Sequence, residues 1–156
     1  MTFKGPFEDR LGIRELIDSY SDAVTQRDAE AWGANWAEDS RWCLPDLGVP
    51  EWNEILGKKK IVEEWTRMMG DFHGDEDAPA VCSFLCNPGA MEVTGDTATA
   101  RSYSTEVFLD EKGRTLETKG QYDDKFVKID GAWYFKERVW TLFPIADHQE
   151  IRAPEA

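Results

Sequence analysis

The stretch Tyr122–Trp140, YDDKFVKIDGAWYFKERVW, decides how this chain is read. Tyr122, Phe126, Val127 and Ile129 lead into Asp130-Gly131, and Trp133, Phe135, Val139 and Trp140 lead out. Asp-Gly suits a two-residue hairpin turn, because such turns need positive φ, which Gly adopts freely and Asp tolerates. The stretch therefore predicts two antiparallel strands and a tight turn. Such a hairpin is the wall of a core or the wall of a pocket.

Upstream, AVCSFLCN, GAMEVTGD, TATARSYSTEVFLD and LETKGQYDDKFVKID are further strand candidates, with Gly95-Asp96 and Lys112-Gly113 at turns between them. The N-terminal half has a different period. Leu11, Ile13, Leu16, Ile17, Tyr20, Ala23 and Val24 recur at helical spacing and predict a first helix within residues 8–28. Asp28 reads as the N-cap of a short helix, AEAWGANWA, because its carboxylate can accept orphan amide protons there. SRWCLP reads as a short strand ended by Pro45, and DLGVPEWNEILG as a loop. KKKIVEEWTRMMGDF predicts a third helix with Ile61, Val62, Trp65, Met68, Met69 and Phe72 inward. Helices first and a run of antiparallel strands afterwards mean an α+β fold.

A chain of 156 residues fits one domain spanning 1–156 and buries roughly two-thirds of its unfolded surface. The net charge of -13 repels a nucleic-acid backbone or an anionic membrane, so neither is an expected partner. Cys43, Cys82 and Cys86 form neither a disulfide framework nor a metal-ligand pattern, and no metal is expected. The N-terminal MTFKGPFEDR lacks the apolar core of a signal peptide, and no apolar run approaches membrane-spanning length. A reducing, cytoplasmic compartment is the expectation.

Three segments, in this order, resemble the SnoaL-like branch of the NTF2-like superfamily. IRELIDSYSDAVTQRDAEAWGANWAEDSRW is similar to that branch's opening helix, its Arg-Asp turn and its short strand ending in tryptophan. NPGAMEVTGDTATARSYSTEVF and GQYDDKFVKIDGAWYFKERV are similar to its middle and last hairpins. The resemblance spans about residues 8–143. It implies an α+β cone, with three N-terminal helices packed on a curved, mostly antiparallel sheet around a cavity, often as a homodimer or homotrimer. Relatives include dehydratases, isomerases, cyclases and carbon–carbon lyases, many acting on ring-bearing molecules without a cofactor. Non-catalytic transport factors and small subunits of ring-hydroxylating dioxygenases also belong.

The dehydratase-like members resemble one another in a helix 1 aspartate and a strand histidine, a pair suited to proton abstraction. This sequence does not keep that pair: the aspartate falls on Thr25, the histidine near Ser83, and a second histidine near Phe108. Of the two histidines present, His73 follows helix 3 beside acidic residues, and His148 lies in the C-terminal tail. Other polar candidates remain. Tyr20 lies on the apolar face of helix 1, where the dehydratase has an aromatic lining its site. The resemblance turns Ser102, Ser104, Glu106 and Phe108 inward, which makes Glu106 a candidate acid or base, since burial raises a carboxyl pKa. Of the neighbours Asp123 and Asp124 only one can face the cavity; Asp123, beside Gln121, is the favoured one, and Asp124 reads as a structural partner.

The predicted catalytic set is therefore Tyr20, Glu106 and Asp123. The predicted substrate-binding set is Val24, Trp42, Leu44, Trp65, Met69, His73, Ser83, Phe108 and Gln121. Seven tryptophans, with Met68 and Phe72, favour a flat aromatic or polycyclic ligand. The expected activity is that of a cofactor-free lyase or isomerase. A binding protein without turnover and a dioxygenase small subunit are the alternatives.

Overall fold

The computed structural model describes residues 3–71, 83–109 and 115–143. Three helices pack on a curved, open, mixed sheet. Helix α1 (Phe7–Gln26) buries Ile13, Leu16, Ile17, Tyr20, Ala23 and Val24, the stripe expected from its period. It ends at Arg27, a non-glycine residue at φ 59°, whose amide caps the carbonyls of Ala23 and Val24. Asp28 then caps α2 (Ala29–Ala34) by accepting the Ala31 amide at 2.9 Å. Helix α2 stops earlier than its apolar pattern suggests. Trp36 is drawn instead into strand β2 (Trp36–Cys43), in register with Phe135.

The expected loop after β2 contains two short 3-10 turns and strand β3 (Ile55–Leu56). Helix α3 (Lys58–Asp71) follows. The sheet is completed by β1 (Phe3–Lys4), which the sequence did not announce, and by β4 (Ser83–Thr94), β5 (Thr97–Leu109), β6 (Thr115–Ile129) and β7 (Ala132–Leu142). The order across the sheet is β1-β4-β5-β6-β7-β2-β3. The central ladders are antiparallel, whereas β1 runs parallel to β4 and β2 parallel to β7. The described parts of the two stretches predicted as separate strands, AVCSFLCN and GAMEVTGD, belong to one long strand from Ser83 to Thr94, irregular between Pro88 and Met91. Pro88, opposite Ser102, sits at the edge of that irregularity, a position where sheets tolerate proline.

The opening hairpin forms as read, with Asp130 at φ 49° and Gly131 at φ 83°. It carries one irregularity that matters. Lys125 faces Glu137 but Phe126 faces Phe135, so Lys136 is an extra residue on β7. A bulge of this kind changes which residues face inward. Trp133 and Phe135 point to the core before it, and Arg138 and Trp140 after it.

The core is dominated by aromatic rings. Trp32 stacks on Trp65 at 4.7 Å between centroids, and Tyr20 lies within 5.4–6.3 Å of Trp32, Trp36, Phe84, Tyr122 and Phe135. Offset and edge-on ring pairs of this kind add about 0.5–1.5 kcal/mol each beyond burial. Helix α1 is pinned to the last hairpin by Asp9, which accepts from Lys128 Nζ at 2.7 Å and from the Trp133 indole at 3.1 Å.

Candidate functional site

Between α1, β2, α3 and the inner face of the sheet lies a mainly apolar cavity of about 110 Å³. Tyr20, Val24 and Arg27 come from the C-terminal half of α1 and its cap, Trp42 and Leu44 from β2 and the residue after it, and Trp65, Met68 and Met69 from α3. The sheet contributes Phe84, Glu106, Thr118, Tyr122 and Trp140. Helical spacing sets the first and third groups, because residues three and four apart share a face. Strand alternation sets the sheet group.

Seven of the predicted residues are brought together here: Tyr20, Glu106, Val24, Trp42, Leu44, Trp65 and Met69. Three are not, and correct the sequence reading: Asp123, Gln121, which alternation puts on the same outer strand face as Asp123, and Ser83. Asp123 is exposed on the outer face of the sheet, 3.8 Å from Arg101 Nε, and takes two hydrogen bonds from the Gln121 amide beside it. Asp124 is the inward neighbour. The reason is plain alternation: Tyr122 and Phe126 are buried, so the residue midway between them is buried too. Ser83 is half-buried at the start of β4 and does not line the cavity. His73, His148 and the side chain of Phe108 lie outside the described residues.

Thr25 and the start of β4, which take the places of the dehydratase-like aspartate and histidine, do meet in space. The Thr25 hydroxyl accepts from the Phe84 amide at 3.1 Å and lies 3.3 Å from the Phe84 carbonyl. This stitches α1 to β4 at the positions where the resemblance implies an acid–base pair.

Behind the cavity lies a buried polar cluster that the sequence reading missed. Arg138 is fully buried. Its Nε donates to Asp124 Oδ1 at 2.8 Å and its Nη2 to Oδ2 at 3.1 Å. The Ser102 hydroxyl also donates to Oδ2, at 3.0 Å. The guanidinium carbon stands 3.8 Å from the ring centre of Tyr122, 4.2 Å from that of Phe135 and 4.3 Å from that of Tyr20. Burial pushes the Tyr20 phenol up to about 12 and the Tyr122 phenol up as well, in both cases against the pull of Arg138. Both are therefore protonated hydrogen-bond donors at neutral pH. Burial also pushes the Asp124 carboxyl up, opposed by Arg138 and by the Ser102 hydroxyl. On the same wall the Trp140 indole donates to Ser104 Oγ at 3.0 Å.

The cavity lining thus joins ring-lined walls to two neutral phenols, Tyr20 and Tyr122, and to Glu106 and Arg27, with the Arg138–Asp124 pair behind it. Among the described residues no group of three or more His, Cys, Asp or Glu side chains is placed to hold a metal ion, and no helix is long and apolar enough to cross a membrane.

A curved α+β cone with an inner cavity defines the NTF2-like class of proteins. Within it the chain belongs to the SnoaL-like domain family, whose model matches residues 6–139. An uncharacterized protein of Mycobacterium tuberculosis (strain ATCC 25618 / H37Rv) is 29% identical over 136 residues, which cover 85% of this chain and 84% of that protein. Among solved structures, a candidate scytalone dehydratase from Novosphingobium aromaticivorans is similar at TM-score 0.70 and 22% identity, covering 86% of this chain and 84% of that one. A candidate dehydratase of the NTF2-like family from Streptomyces avermitilis is similar at TM-score 0.71 and 15% identity, covering 88% and 99%. At these identities the likeness shows the fold.

Proposed function

We propose that the protein is a cofactor-independent lyase or isomerase acting on a small, ring-bearing carbonyl compound. The observation that carries this reading is that Glu106, Tyr20 and Tyr122 line one aromatic-walled cavity. The dehydratases among the similar structures support it. Glu106 removes a proton from the carbon beside the carbonyl. The phenols donate hydrogen bonds to the carbonyl oxygen as it gains negative charge. The protonated Glu106 then returns its proton to a β-hydroxyl, which leaves as water, or to another carbon, which isomerises the substrate. A cavity of about 110 Å³ is below the range of roughly 300–1,000 Å³ usual for drug-sized ligands, which favours one or two rings over a polycycle.

A binding protein without turnover is the second reading. It is favoured by Thr25, which is tied to the Phe84 backbone where other members carry the acid of an acid–base pair.

One assay separates the two. 3-Hydroxy-1-tetralone and smaller cyclic β-hydroxy ketones are incubated with the wild type, Glu106→Gln and Tyr20→Phe, and the conjugated product is followed by absorbance. On the lyase reading, turnover falls by at least about 100-fold in Glu106→Gln, in line with the 10²–10⁴-fold contribution of a general base. Binding without turnover establishes the second reading, and equal turnover in all three proteins refutes the roles given to both residues.

A further inference from the structure

Tyr20 and Tyr122 are not merely buried side by side. They share one cation. The Arg138 guanidinium carbon stands over both rings, 4.3 Å and 3.8 Å from their centres, although the rings are inclined at 71° to each other, and Arg138 itself does not line the cavity. Asp124 meets the guanidinium differently. Its two oxygens take Nε and Nη2, so the carboxylate lies at the edge of the guanidinium. Nη1 is buried and has no hydrogen-bond partner among the described residues. The ion pair is neutral overall, but its cationic end is the one held against both rings, so the phenols feel the field of that end. In a water-excluded site such a field is weakly screened.

We propose that Arg138 is a positioning residue that makes Tyr20 and Tyr122 an anion-binding pair, so that the cavity selects ligands whose oxygen carries, or gains during reaction, a negative charge. This rests on the cavity reading above and names its ligand class: phenolates, and ketones that pass through an enolate. The phenols themselves stay protonated and donate. Arg138 favours the state in which their acceptor is charged. The other charged or titratable groups around the pair are Asp124 on β6, Cys86 on β4, Glu106 on β5 and Arg27 at the end of α1. Cys86 lies on the guanidinium side, its sulfur 3.8 Å from Arg138 Nη2. Of the two carboxylates, Glu106 opposes an anionic ligand directly and Asp124 only through Arg138.

The probe is 4-nitrophenol, a single ring whose visible absorbance reports its own ionisation. In the wild type the bound probe is expected to ionise at a lower pH than the free probe. Arg138→Met removes the cation, and bound 4-nitrophenol is expected to ionise at higher pH and to lose on the order of tenfold in anion affinity, the equivalent of one cation–π contact at a desolvated site. Asp124→Asn removes the opposing anion and leaves Arg138, so the ionisation pH of the bound probe moves further down. Loss of structure alone would weaken binding in both variants, so opposite shifts are the signature. A bound probe that ionises at higher pH than the free one in the wild type overturns the proposal, even if neither variant folds. Shifts of the same sign in both variants, or no shift in either, also overturn it and leave the cavity reading standing. Failure of the wild type to bind 4-nitrophenol in either form overturns both.

Discussion

Asp124 and Arg138 face each other across β6 and β7 as a two-pronged ion pair, and both side chains are sealed from solvent. Breaking a buried pair by removing one partner leaves an uncompensated charge and costs about 3–5 kcal/mol. Asp124→Ala is therefore expected to lower the denaturation midpoint strongly. Asp123→Ala, one residue along, removes an exposed side chain and is expected to change stability by no more than about 0.5 kcal/mol. Chemical denaturation of the two variants checks the inward–outward order of the neighbours; similar losses in both would contradict it.

Gly120 is the only residue type that β6 can carry beside Trp140. A Cβ there would sit 2.2 Å from the Trp140 indole nitrogen and 2.7 Å from the Thr141 carbonyl oxygen. Gly120→Ala is expected to push the indole off Ser104 and to cost about 1–3 kcal/mol, the usual penalty of forced overpacking. Because Trp140 lines the cavity, the same variant should also weaken binding of 4-nitrophenol, read by titration of its absorbance.

Glu64 anchors the 3-10 turn at Trp52 to α3. It accepts from the Trp52 indole at 3.2 Å, pairs with Lys60 at 2.7 Å and also pairs with Arg67. Lys60, Arg67 and the indole together hold its carboxyl down at about 2, against a small cost of burial. A carboxyl whose folded pKa is depressed contributes stability above its unfolded pKa of about 4.3, and that contribution fades as pH falls toward 2. Wild type should exceed Glu64→Gln in thermal midpoint at pH 6, and the gap should close between about pH 4.5 and 2. A gap independent of pH would show that packing, not charge, is what Glu64 supplies.

Lys128 and Asp9 join the last hairpin to the first helix, and the Trp133 indole shares the same carboxylate oxygen. Asp9→Asn keeps the shape but weakens both bonds. It is expected to lower the thermal midpoint slightly and to speed hydrogen exchange at the Asp130-Gly131 turn more than in β5. Uniform exchange changes would argue against a local clasp.

The helices, the hairpins and their order were legible because each rests on local information: a 3.6-residue stripe in α1 and α3, a capping Asp28, an Asp-Gly turn. Most of the cavity wall was legible for the same reason, since Tyr20 and Val24 are four apart on α1 and Trp65 and Met69 are four apart on α3. Asp124 was legible too, from its place midway between Tyr122 and Phe126, although Asp123 was the favoured neighbour. Arg138 was not legible. Alternation from Trp133 and Phe135 predicts Glu137 and Val139 inward, and only the extra residue at Lys136 turns Arg138 and Trp140 to the inside. Which residue becomes a bulge depends on pairing with a distant strand, so a single strand read alone does not reveal it. β1 escaped for a related reason: two residues carry no period, and their strand exists only because β4 is there to pair with.

That two-residue strand has a consequence for the chain among its neighbours in a crowded solution. The sheet is bounded on one side by Phe3–Lys4 and on the other by Ile55–Leu56, each too short to template a further ladder. Lys4 adds a charge at its rim, paired with Glu92 at 3.1 Å. Long strands with open amides invite the next molecule to add on, and short, charged borders discourage it. Phe3 and Lys4 thus act as a selvedge, a woven border over Met91 and Glu92 of the twelve-residue β4.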